Sequence, residues 1–317
     1  MSNRVARSVI SSFSHTPKVP FVAPHSRRAT SDDFAAIATL SSNQFHTYHR
    51  ENELIDPEVS PADLTRAFEQ SPDPTWIEAD ATGVLGFLYG SVFSMDDEGP
   101  SVWTGLDGWA APTPDTLLSL LQEAQSYWRS LGAASHRVWV TPSGAAQWKN
   151  EGYEPVSIRA AKLLSASTFE MDSRLRLAGS ADEEFVRTID RIIDEAQGTP
   201  STNGDLVVSM LTDEESRAYV YEVESEPAGL CFVMDAPSIR GVFNDTVSLS
   251  QVGIAPRFQR RGHGRRMIEA VLDSESLSGF RYADVRFRHA NAGAGAFWHD
   301  LGFHDVAKLL QRPLSTA

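Results

Sequence analysis

The chain repeats one order of motifs at a spacing of about 150 residues, and this internal repeat limits the fold more than any other feature. Residues 148–155 read Trp-Lys-Asn-Glu-Gly-Tyr-Glu-Pro, and residues 298–305 read Trp-His-Asp-Leu-Gly-Phe-His-Asp. Small residues precede each motif, at 143–146 and at 292–296, and a short strand-like run stands before them. The repeat predicts two tandem copies of one α/β unit rather than one large domain.

Further matches extend the repeat towards the start of each copy. Apolar residues at helical spacing precede the strand-like runs, over 117–131 in the first copy and 267–272 in the second. The copies also open alike, because Asp-Asp-Phe at 32–34 and Glu-Glu-Phe at 183–185 each lead into a helical pattern. A short polar stretch joins the copies. The copies are therefore expected at residues 27–165 and 174–314.

Residues 1–26 are expected to form a disordered tail. They contain Arg4, Arg7 and Lys18 but no acidic residue, and they are rich in serine and proline. A transit peptide is the alternative reading of such a segment. The tail is favoured because no amphipathic pattern of arginine and leucine is sustained.

The net charge and the number of cysteines limit which classes of partner are expected for the chain. Among 317 residues there are 28 Lys and Arg against 42 Asp and Glu, a formal net charge of −14. This balance argues against nucleic acid and anionic membranes as partners, and it is compatible with a cationic or amine substrate. The single cysteine, Cys231, excludes an intramolecular disulfide and a Cys-based zinc cluster, and no metal is expected. No apolar run approaches the roughly 18 residues of a membrane span, so a cytoplasmic protein is expected.

The most informative segment is 248–266, which predicts a strand ending at Pro256, a tight loop and then an amphipathic helix. Gly262 and Gly264 let the loop backbone approach a ligand closely. The first N–H groups of the helix have no partner within it, and the helix dipole adds positive potential at that end. The segment therefore predicts an anion cradle suited to a pyrophosphate.

Five arginines fall within ten positions of this segment, although the chain as a whole is acidic. They are Arg257, Arg260, Arg261, Arg265 and Arg266. Guanidinium groups at a glycine loop favour phosphate as the ligand. A dinucleotide-binding loop is excluded because Met267 stands where its third glycine belongs, and the loop of nucleoside triphosphatases is absent as well.

Two motifs in this half resemble the GNAT N-acetyltransferase superfamily. Residues 259–264, Gln-Arg-Arg-Gly-His-Gly, fit the acetyl-CoA signature Q/R-x-x-G-x-G/A of that family. Residues 291–303, Asn-Ala-Gly-Ala-Gly-Ala-Phe-Trp-His-Asp-Leu-Gly-Phe, fit its later pattern. The resemblance covers roughly 182–312 well and, through the internal repeat, covers 27–165 weakly.

The resemblance implies an α/β fold of the α+β, mixed-sheet type, with two tandem acyl-CoA N-acyltransferase folds. It implies acetyl-CoA as cosubstrate, lying where the fourth and fifth strands of the sheet splay apart. It also implies backbone contacts from the fourth strand to the pantetheine arm, and a pyrophosphate held by the loop. The residues that it assigns to the cosubstrate are Val252, Gly253, Ile254, Gln259, Arg260, Arg261, Gly262, His263, Gly264, Arg265 and Asn291. Asn291 also suits the N-cap of a helix, and both roles can hold.

The resemblance leaves the catalytic residues unassigned. Where the family often has a tyrosine as general acid, this chain has Trp298, whose indole is a donor but not a useful acid. Where some members have a glutamate base on the fourth strand, this chain has Ser248. Both are retained only as weak catalytic candidates, and the nearby alternatives for a base are Asp245, Glu222 and Glu224.

The first copy lacks the glycine loop. The corresponding stretch carries Pro112 and Pro114, which remove N–H donors and stiffen the chain, and no arginine precedes it nearby. The first copy is therefore expected to be a degenerate GNAT-like domain that does not bind acetyl-CoA. It is expected to wall the acceptor pocket or to stabilise the second copy.

The expected function is transfer of an acetyl group from acetyl-CoA to a primary amine of a small molecule. The resemblance to tandem members of the family suggests a cysteinyl-sugar amine, and an aminoglycoside-like or other polyamine suits the acidic charge equally. Two alternatives stay open, namely a non-catalytic acetyl-CoA sensor or scaffold and a protein N-acetyltransferase. The sequence leaves the oligomeric state undetermined.

Overall fold

The computed structural model describes residues 24–94, 99–165, 172–197, 204–213, 216–235 and 243–314. The predicted tail therefore lies almost wholly outside the described residues, and the first strand begins at His25, two residues before the expected start of the first copy. Within the described ranges, no helix is both long enough and apolar enough to cross a membrane.

The N-terminal segment contains eight strands and four helices among its described residues. They are β1 (His25–Arg28), α1 (Phe34–Glu51), α2 (Pro61–Gln70), β2 (Thr75–Asp80), β3 (Gly83–Tyr89), β4 (Ser91–Ser94), β5 (Pro100–Thr104), β6 (Trp109–Ala110), α3 (Pro114–Ser130), β7 (Ser135–Val140), α4 (Ala145–Asn150) and β8 (Glu154–Leu163).

The C-terminal segment follows the same order of elements. They are β9 (Leu175–Leu177), α5 (Glu183–Gln197), α6 (Gly204–Ser209), β10 (Ser216–Val223), β11 (Glu226–Met234), β12 (Thr246–Ile254), α7 (His263–Leu277), β13 (Tyr282–Arg288), α8 (Ala292–Asp300) and β14 (His304–Pro313). The two segments differ in that β3 and β4 correspond to the single strand β11, and β5 and β6 to β12. The tandem α/β fold predicted from the repeat is thus confirmed.

An arginine–aspartate pair at the start of each segment fixes how the copies align. Arg27 donates two hydrogen bonds to the Asp33 carboxylate at 2.7 and 2.9 Å, and Arg176 does the same to Asp182 at 2.8 Å each. Asp33 therefore corresponds to Asp182. The sequence match of 32–34 with 183–185 was wrong by two residues, because acidic residues continue from Asp182 into the first turn of α5.

The strands form one sheet of ten and one of four. The larger sheet has the order β4-β5-β7-β14-β8-β13-β12-β11-β10-β9, and the smaller has the order β1-β2-β3-β6. The break in the N-terminal copy falls at Gly90, where a Cβ atom would come within 2.6 Å of Val102. Strand β3 ends before this residue and β4 begins after it, and the two strands belong to different sheets.

The last strands of the two segments are exchanged. Strand β8 of the N-terminal segment pairs with β13 and β14, both from the C-terminal segment. Strand β14 in turn pairs with β7 of the N-terminal segment. Each hydrophobic core therefore contains side chains of the other segment, with Ile158 and Ala160 in the C-terminal core and Leu310 in the N-terminal core. The division of the repeat between residues 165 and 174 is thus not a division between two independent sheets.

Candidate active site

The sheet opens between β12 and β13. These strands are parallel and pair only from Thr246 to Leu249 on one side and from Tyr282 to Val285 on the other. Beyond that point β12 pairs with β11, while β13 continues beside β8. The two strands therefore diverge into a splay, as the family resemblance implied.

A β-bulge lies in β12 at the mouth of this splay. Leu230 of β11 is opposite Gly253 and Phe232 is opposite Ser250, so two residues of β12 face one residue of β11. Gln251 in the bulge has a φ of 45°, a left-handed conformation that costs an L-residue about 1–2 kcal/mol. A bulge leaves an extra residue outside the strand ladder and re-aims its backbone groups. This geometry is compatible with the predicted contact between the Val252 backbone and a ligand in the splay.

The glycine loop ends in the N-cap of α7. Gly262, at φ 80°, is that N-cap, and Arg260 before it has a φ of 58°. Arg266 N–H donates to the Gly262 carbonyl, the first bond of the helix, so the N–H groups of residues 263–265 have no acceptor within it. The Gln259 side chain holds the loop against β12 by donating to the Ile254 carbonyl at 2.8 Å. The start of α7 thus has the backbone donors that the predicted anion cradle requires, and binding of an anion there stays a prediction.

Two of the five loop arginines are engaged with acidic residues. Arg257 pairs with Glu226 at 2.6 Å, and Arg265 lies 3.7 Å from Glu269 and 3.9 Å from Asp300. The other three are exposed and have no ion pair within the described ranges. These three are Arg260, Arg261 and Arg266.

Apolar groups line the space between the loop and the splay. A Cβ atom on Gly264 would lie 3.5 Å from the Ile254 side chain and 3.8 Å from the Phe297 ring. Asn291, at the start of α8, accepts a hydrogen bond from the Ala294 N–H at 2.9 Å, so the alternative N-cap role is confirmed. The contact of Asn291 with the cosubstrate stays a prediction, and the side-chain amide nitrogen is the atom that would make it.

Comparison with known proteins decides the family of this half. Residues 185–303 match the family model described as the Acetyltransferase (GNAT) family. The C-terminal half of the chain is a GNAT-family domain. A ribosomal protein bS18-alanine N-acetyltransferase of Salmonella typhimurium is 35% identical over 73 residues, 23% of this chain and 49% of the relative. The Escherichia coli K12 protein with the same description is 32% identical over 73 residues. The chain thus spans about half the length of these curated relatives.

Solved structures extend the likeness over both halves. A GCN5-related N-acetyltransferase from Sphaerobacter thermophilus has a TM-score of 0.60 at 16% identity, covering 93% of this chain and 96% of that one. A tandem GNAT protein from the clavulanic acid biosynthesis pathway has a TM-score of 0.50 at 13% identity, covering 93% of this chain and 100% of that one. At these identities the likeness concerns the fold alone, and that fold is the tandem GNAT arrangement.

The GNAT domain fits the acetyl-CoA that its family implies. At the splay, at the bulge of Gln251 and at the left-handed Gly262, backbone groups lie outside the regular pairing of the sheet and the helix. The pantetheine arm and the pyrophosphate of acetyl-CoA need such backbone groups in order to bind. The His263 side chain has a buried Nδ1 without a hydrogen-bond partner among the described residues. The His263 ring lies beside the Tyr221 and Phe258 rings, so these contacts support the loop from its protein side.

In the N-terminal copy, the place that corresponds to the splay is filled by a tryptophan side chain. Trp109 of β6 is buried, donates its indole N–H to the Trp139 carbonyl on β7 at 3.2 Å, and packs edge-on against Trp148. The side chain of Trp109 therefore bridges the two strands whose counterparts splay in the GNAT domain. At the helix start, the Thr113 hydroxyl accepts from the Thr116 N–H at 3.1 Å and takes up one of the free donors. These contacts support the prediction that this copy does not bind acetyl-CoA.

The two weak catalytic candidates are both buried. Trp298 packs edge-on against Phe303 and Phe297 in the C-terminal core. Ser248 donates its hydroxyl to the Asp284 carboxylate at 2.6 Å. This environment favours a packing role for Trp298 and a structural role for Ser248.

The three alternative bases named from the sequence lie elsewhere. Asp245 precedes β12 at the end away from the splay and faces Arg281 at 3.7 Å. Glu222 pairs with Arg176 at 2.6 Å, and Glu224 stands in the turn between β10 and β11.

Sequence reasoning missed a buried polar chain across three strands. Arg159 of β8 donates to Asp284 of β13 at 2.6 Å, and Ser248 of β12 donates to the other oxygen of the same carboxylate. All three side chains are buried. Asp284 is the only carboxylate in the sequences of β12 and β13, and the N-terminal segment supplies its counter-charge. No sequence signal links Arg159 to Asp284, because 125 positions separate them.

Sequence reasoning also missed Asp190 of α5. This helix packs directly on the diverged part of β12, since a Cβ on Gly253 would lie 2.6 Å from Ile189 and 3.2 Å from Ile193. Asp190 lies between these two residues in sequence, is 2% exposed, and has one carboxylate oxygen without a partner among the described residues. Burial, with a smaller contribution from Asp194, raises the pKa of its carboxyl.

Proposed function

We propose that the GNAT domain transfers the acetyl group of acetyl-CoA to a primary amine of a small molecule. The observation that carries the proposal is that the splay, the bulge and the glycine loop follow one another along β12 and the start of α7 in the C-terminal half. In the N-terminal half, the Trp109 side chain fills the equivalent place. Helix α5 packs on the diverged part of β12, and β8 of the N-terminal segment continues the sheet beside β13. These neighbours limit the space around the splay and favour a small acceptor over an extended one.

The cosubstrate would be held by backbone groups on one side and by arginines on the other. The N–H groups of 263–265 and the guanidiniums of Arg260, Arg261 and Arg266 suit the pyrophosphate. Val252 and Ile254 suit the pantetheine arm. When bound, acetyl-CoA supplies the acetyl group, whose bond to sulfur breaks as the amine nitrogen bonds to the carbonyl carbon. The Val252 N–H is the donor positioned for the negative charge that develops on the carbonyl oxygen.

The amine must be neutral to attack, and Asp190 is the candidate that accepts its proton. A carboxyl with a raised pKa is a stronger base, and a buried one is shielded from competing water. Asp190 combines both properties and lies on the helix that packs on the diverged part of β12. In this assignment Asp190 takes the proton that the ammonium group loses before attack. The second proton leaves the nitrogen for solvent as the amide forms, and the CoA thiolate takes a proton from solvent.

Replacing Asp190 by asparagine should lower activity and raise stability at the same time. Loss of a general base costs about 10²- to 10⁴-fold in kcat/KM. The folded-state pKa of Asp190 is raised, so its protonated form stabilises the fold below the ordinary pKa near 3.9, and that contribution is lost as pH rises through the raised value. The variant should therefore melt higher than the wild type at pH 8 and equally near pH 4. A variant with full activity, or with a lower melting temperature at pH 8, would contradict the assignment.

Replacing Trp298 by phenylalanine should leave most of the activity. Its packing against Phe303 and Phe297 is retained in part by another aromatic ring, and a thiolate with a pKa near 8.5 leaves without prompt protonation. Steady-state kinetics check this. A fall in kcat above about 100-fold in a folded variant would instead identify Trp298 as the general acid.

A protein N-acetyltransferase is the second candidate, and the names of the curated relatives favour it. Release of free thiol from acetyl-CoA tests both functions, with a panel of small amines in one arm and peptides beginning with alanine in the other. The proposal expects turnover with a small amine. Turnover with peptides alone would favour the second candidate, and acetyl-CoA binding without turnover would favour a sensor or scaffold.

A further inference from the structure

Two arginines are directly opposite each other in the exchanged part of the sheet. Arg286 of β13 pairs in register with Arg159 of β8. The equivalent pair of the N-terminal copy is Trp139 of β7 opposite Leu309 of β14, and both of those side chains are buried. One ladder position thus holds an apolar pair in the N-terminal copy and two guanidiniums in the GNAT domain.

The position of these arginines places them beside the splay. Val285 is the last residue of β13 that pairs with β12, and Arg286 is the next residue. Val285 and Phe287 pack into the core with α7 and α8, so strand alternation puts Arg286 and Arg288 on the opposite face. That face also carries Asp284 with its Ser248 partner, and it is the side of the sheet on which α5 packs.

The charges on this face are not balanced by the described residues. Asp284 neutralises Arg159 at 2.6 Å, while the Arg159 Nε is buried without a hydrogen-bond partner. Arg286 and Arg288 are exposed, and neither has an ion pair within the described ranges. Desolvation by the surrounding protein, together with the positive charges of Arg159, Arg137 and Arg288, lowers the pKa of Arg286 even though part of its side chain is exposed.

This arrangement opposes stability, which indicates a role in binding. Like charges directly opposite in an antiparallel ladder are destabilising, and the tandem copy shows that the same position accepts an apolar pair. The chain carries a net charge of −14, so an anion approaching it is repelled except where guanidiniums are concentrated. The loop arginines serve the pyrophosphate of acetyl-CoA and lie at the other end of the splay, beyond Ile254.

We propose that Arg286, assisted by Arg159 and Arg288, binds an anionic group of the acceptor, a carboxylate or a phosphate. The acceptor is then an amine that also carries a negative charge, rather than a polyamine. This inference rests on the proposed acetyl transfer, which it deepens by naming the substrate class. A guanidinium fixes such a group through paired hydrogen bonds and holds the amine end towards the splay.

Matched pairs of amines test the proposal by thiol release at saturating acetyl-CoA. Phenylalanine and 2-phenylethylamine differ by a carboxylate, and O-phosphoethanolamine and ethanolamine differ by a phosphate. The proposal expects kcat/KM about 10- to 100-fold higher for the anionic member of one pair, which also identifies the anion. Arg286→Leu should remove that preference, Arg286→Lys should keep part of it, and the exposed control Arg281→Leu should leave it unchanged.

Three results would overturn the proposal. The first is equal use of both members of each pair by the wild type, and the second is a preference that survives in Arg286→Leu. The third is a change in KM for acetyl-CoA instead of the acceptor, which would assign the guanidinium to the cosubstrate. Because leucine resembles the apolar side chains of the equivalent pair, the variant is expected to fold, and its melting curve checks this.

A binding experiment separates this proposal from the proposed function. If no amine in the panel is acetylated, acetyl transfer to small amines fails, and thermal shifts then decide the anion site. The protein is saturated with CoA, which fills the glycine loop, and titrated with inorganic phosphate and with succinate. Stabilisation of the wild type and of Arg281→Leu but not of Arg286→Leu supports the site. Equal shifts in all three proteins, or no shift in any, refute it.

Discussion

Replacing Asp284 by alanine should lower the free energy of unfolding by about 3–5 kcal/mol. The buried Arg159 guanidinium would lose its counter-charge, and the Ser248 hydroxyl would lose its acceptor. Removing one partner of a buried ion pair costs this much because the remaining charge stays desolvated. Urea unfolding of the whole chain measures the loss.

Two variants control this result. Asp245→Ala removes a carboxylate whose partner Arg281 lies 3.7 Å away at the exposed end of the same strands, and it should cost less than about 1 kcal/mol. The double variant Arg159→Met, Asp284→Leu replaces the pair by apolar side chains and should recover most of the stability. If Asp284→Ala were no more harmful than Asp245→Ala, the buried chain would not be a structural tie between the two segments.

The C-terminal copy expressed alone, as residues 166–317, should fail to form its native sheet. It would lack β8, the strand that separates β13 from β14, and β14 would lose both of its neighbours. The side chains of Ile158 and Ala160 would also leave the C-terminal core. We expect no cooperative melting transition and no acetyl-CoA binding from this fragment.

Co-expression with residues 1–165 is the matching control. Because three strand ladders cross between the segments, the two fragments should copurify as a one-to-one complex with the melting behaviour of a folded protein. A fragment 166–317 that melts and binds acetyl-CoA like the whole chain would show that the exchanged strands are dispensable. The N-terminal copy would then have no part in the function of the GNAT domain.

The sequence predicted those features whose causes are local. Two glycines, a run of arginines and a helical pattern predicted the loop and α7. The absence of a glycine loop led to the prediction that the first copy does not bind acetyl-CoA. The contact that supports this prediction, from the Trp109 indole to the Trp139 carbonyl, depends on how two strands approach each other. Local chemistry therefore predicted the loop and the helix that the structure contains, and the cosubstrate site placed at that loop stays a prediction.

Features that depend on long-range pairing could not be predicted in the same way. Strands β8 and β14 are copies of one repeat, so nothing in their sequences tells which copy each will join. Arg159 meets Asp284 only because β8 lies beside β13 in the folded chain. Asp190 differs from the other acidic residues of α5 only in being buried by the fold. The short strand-like run before residue 292 predicted β13, but not what its charged face of Asp284, Arg286 and Arg288 would meet.

Calorimetric titration of the whole chain with acetyl-CoA tests the central claim, that one of two tandem copies holds the cosubstrate. The account predicts one molecule bound per chain. It also predicts that Gly264→Val abolishes binding, because the added side chain enters the space facing Ile254 and Phe297, while Asp273→Val on the exposed face of the same helix binds normally. Two molecules per chain, or one molecule still bound by a folded Gly264→Val variant, would contradict it.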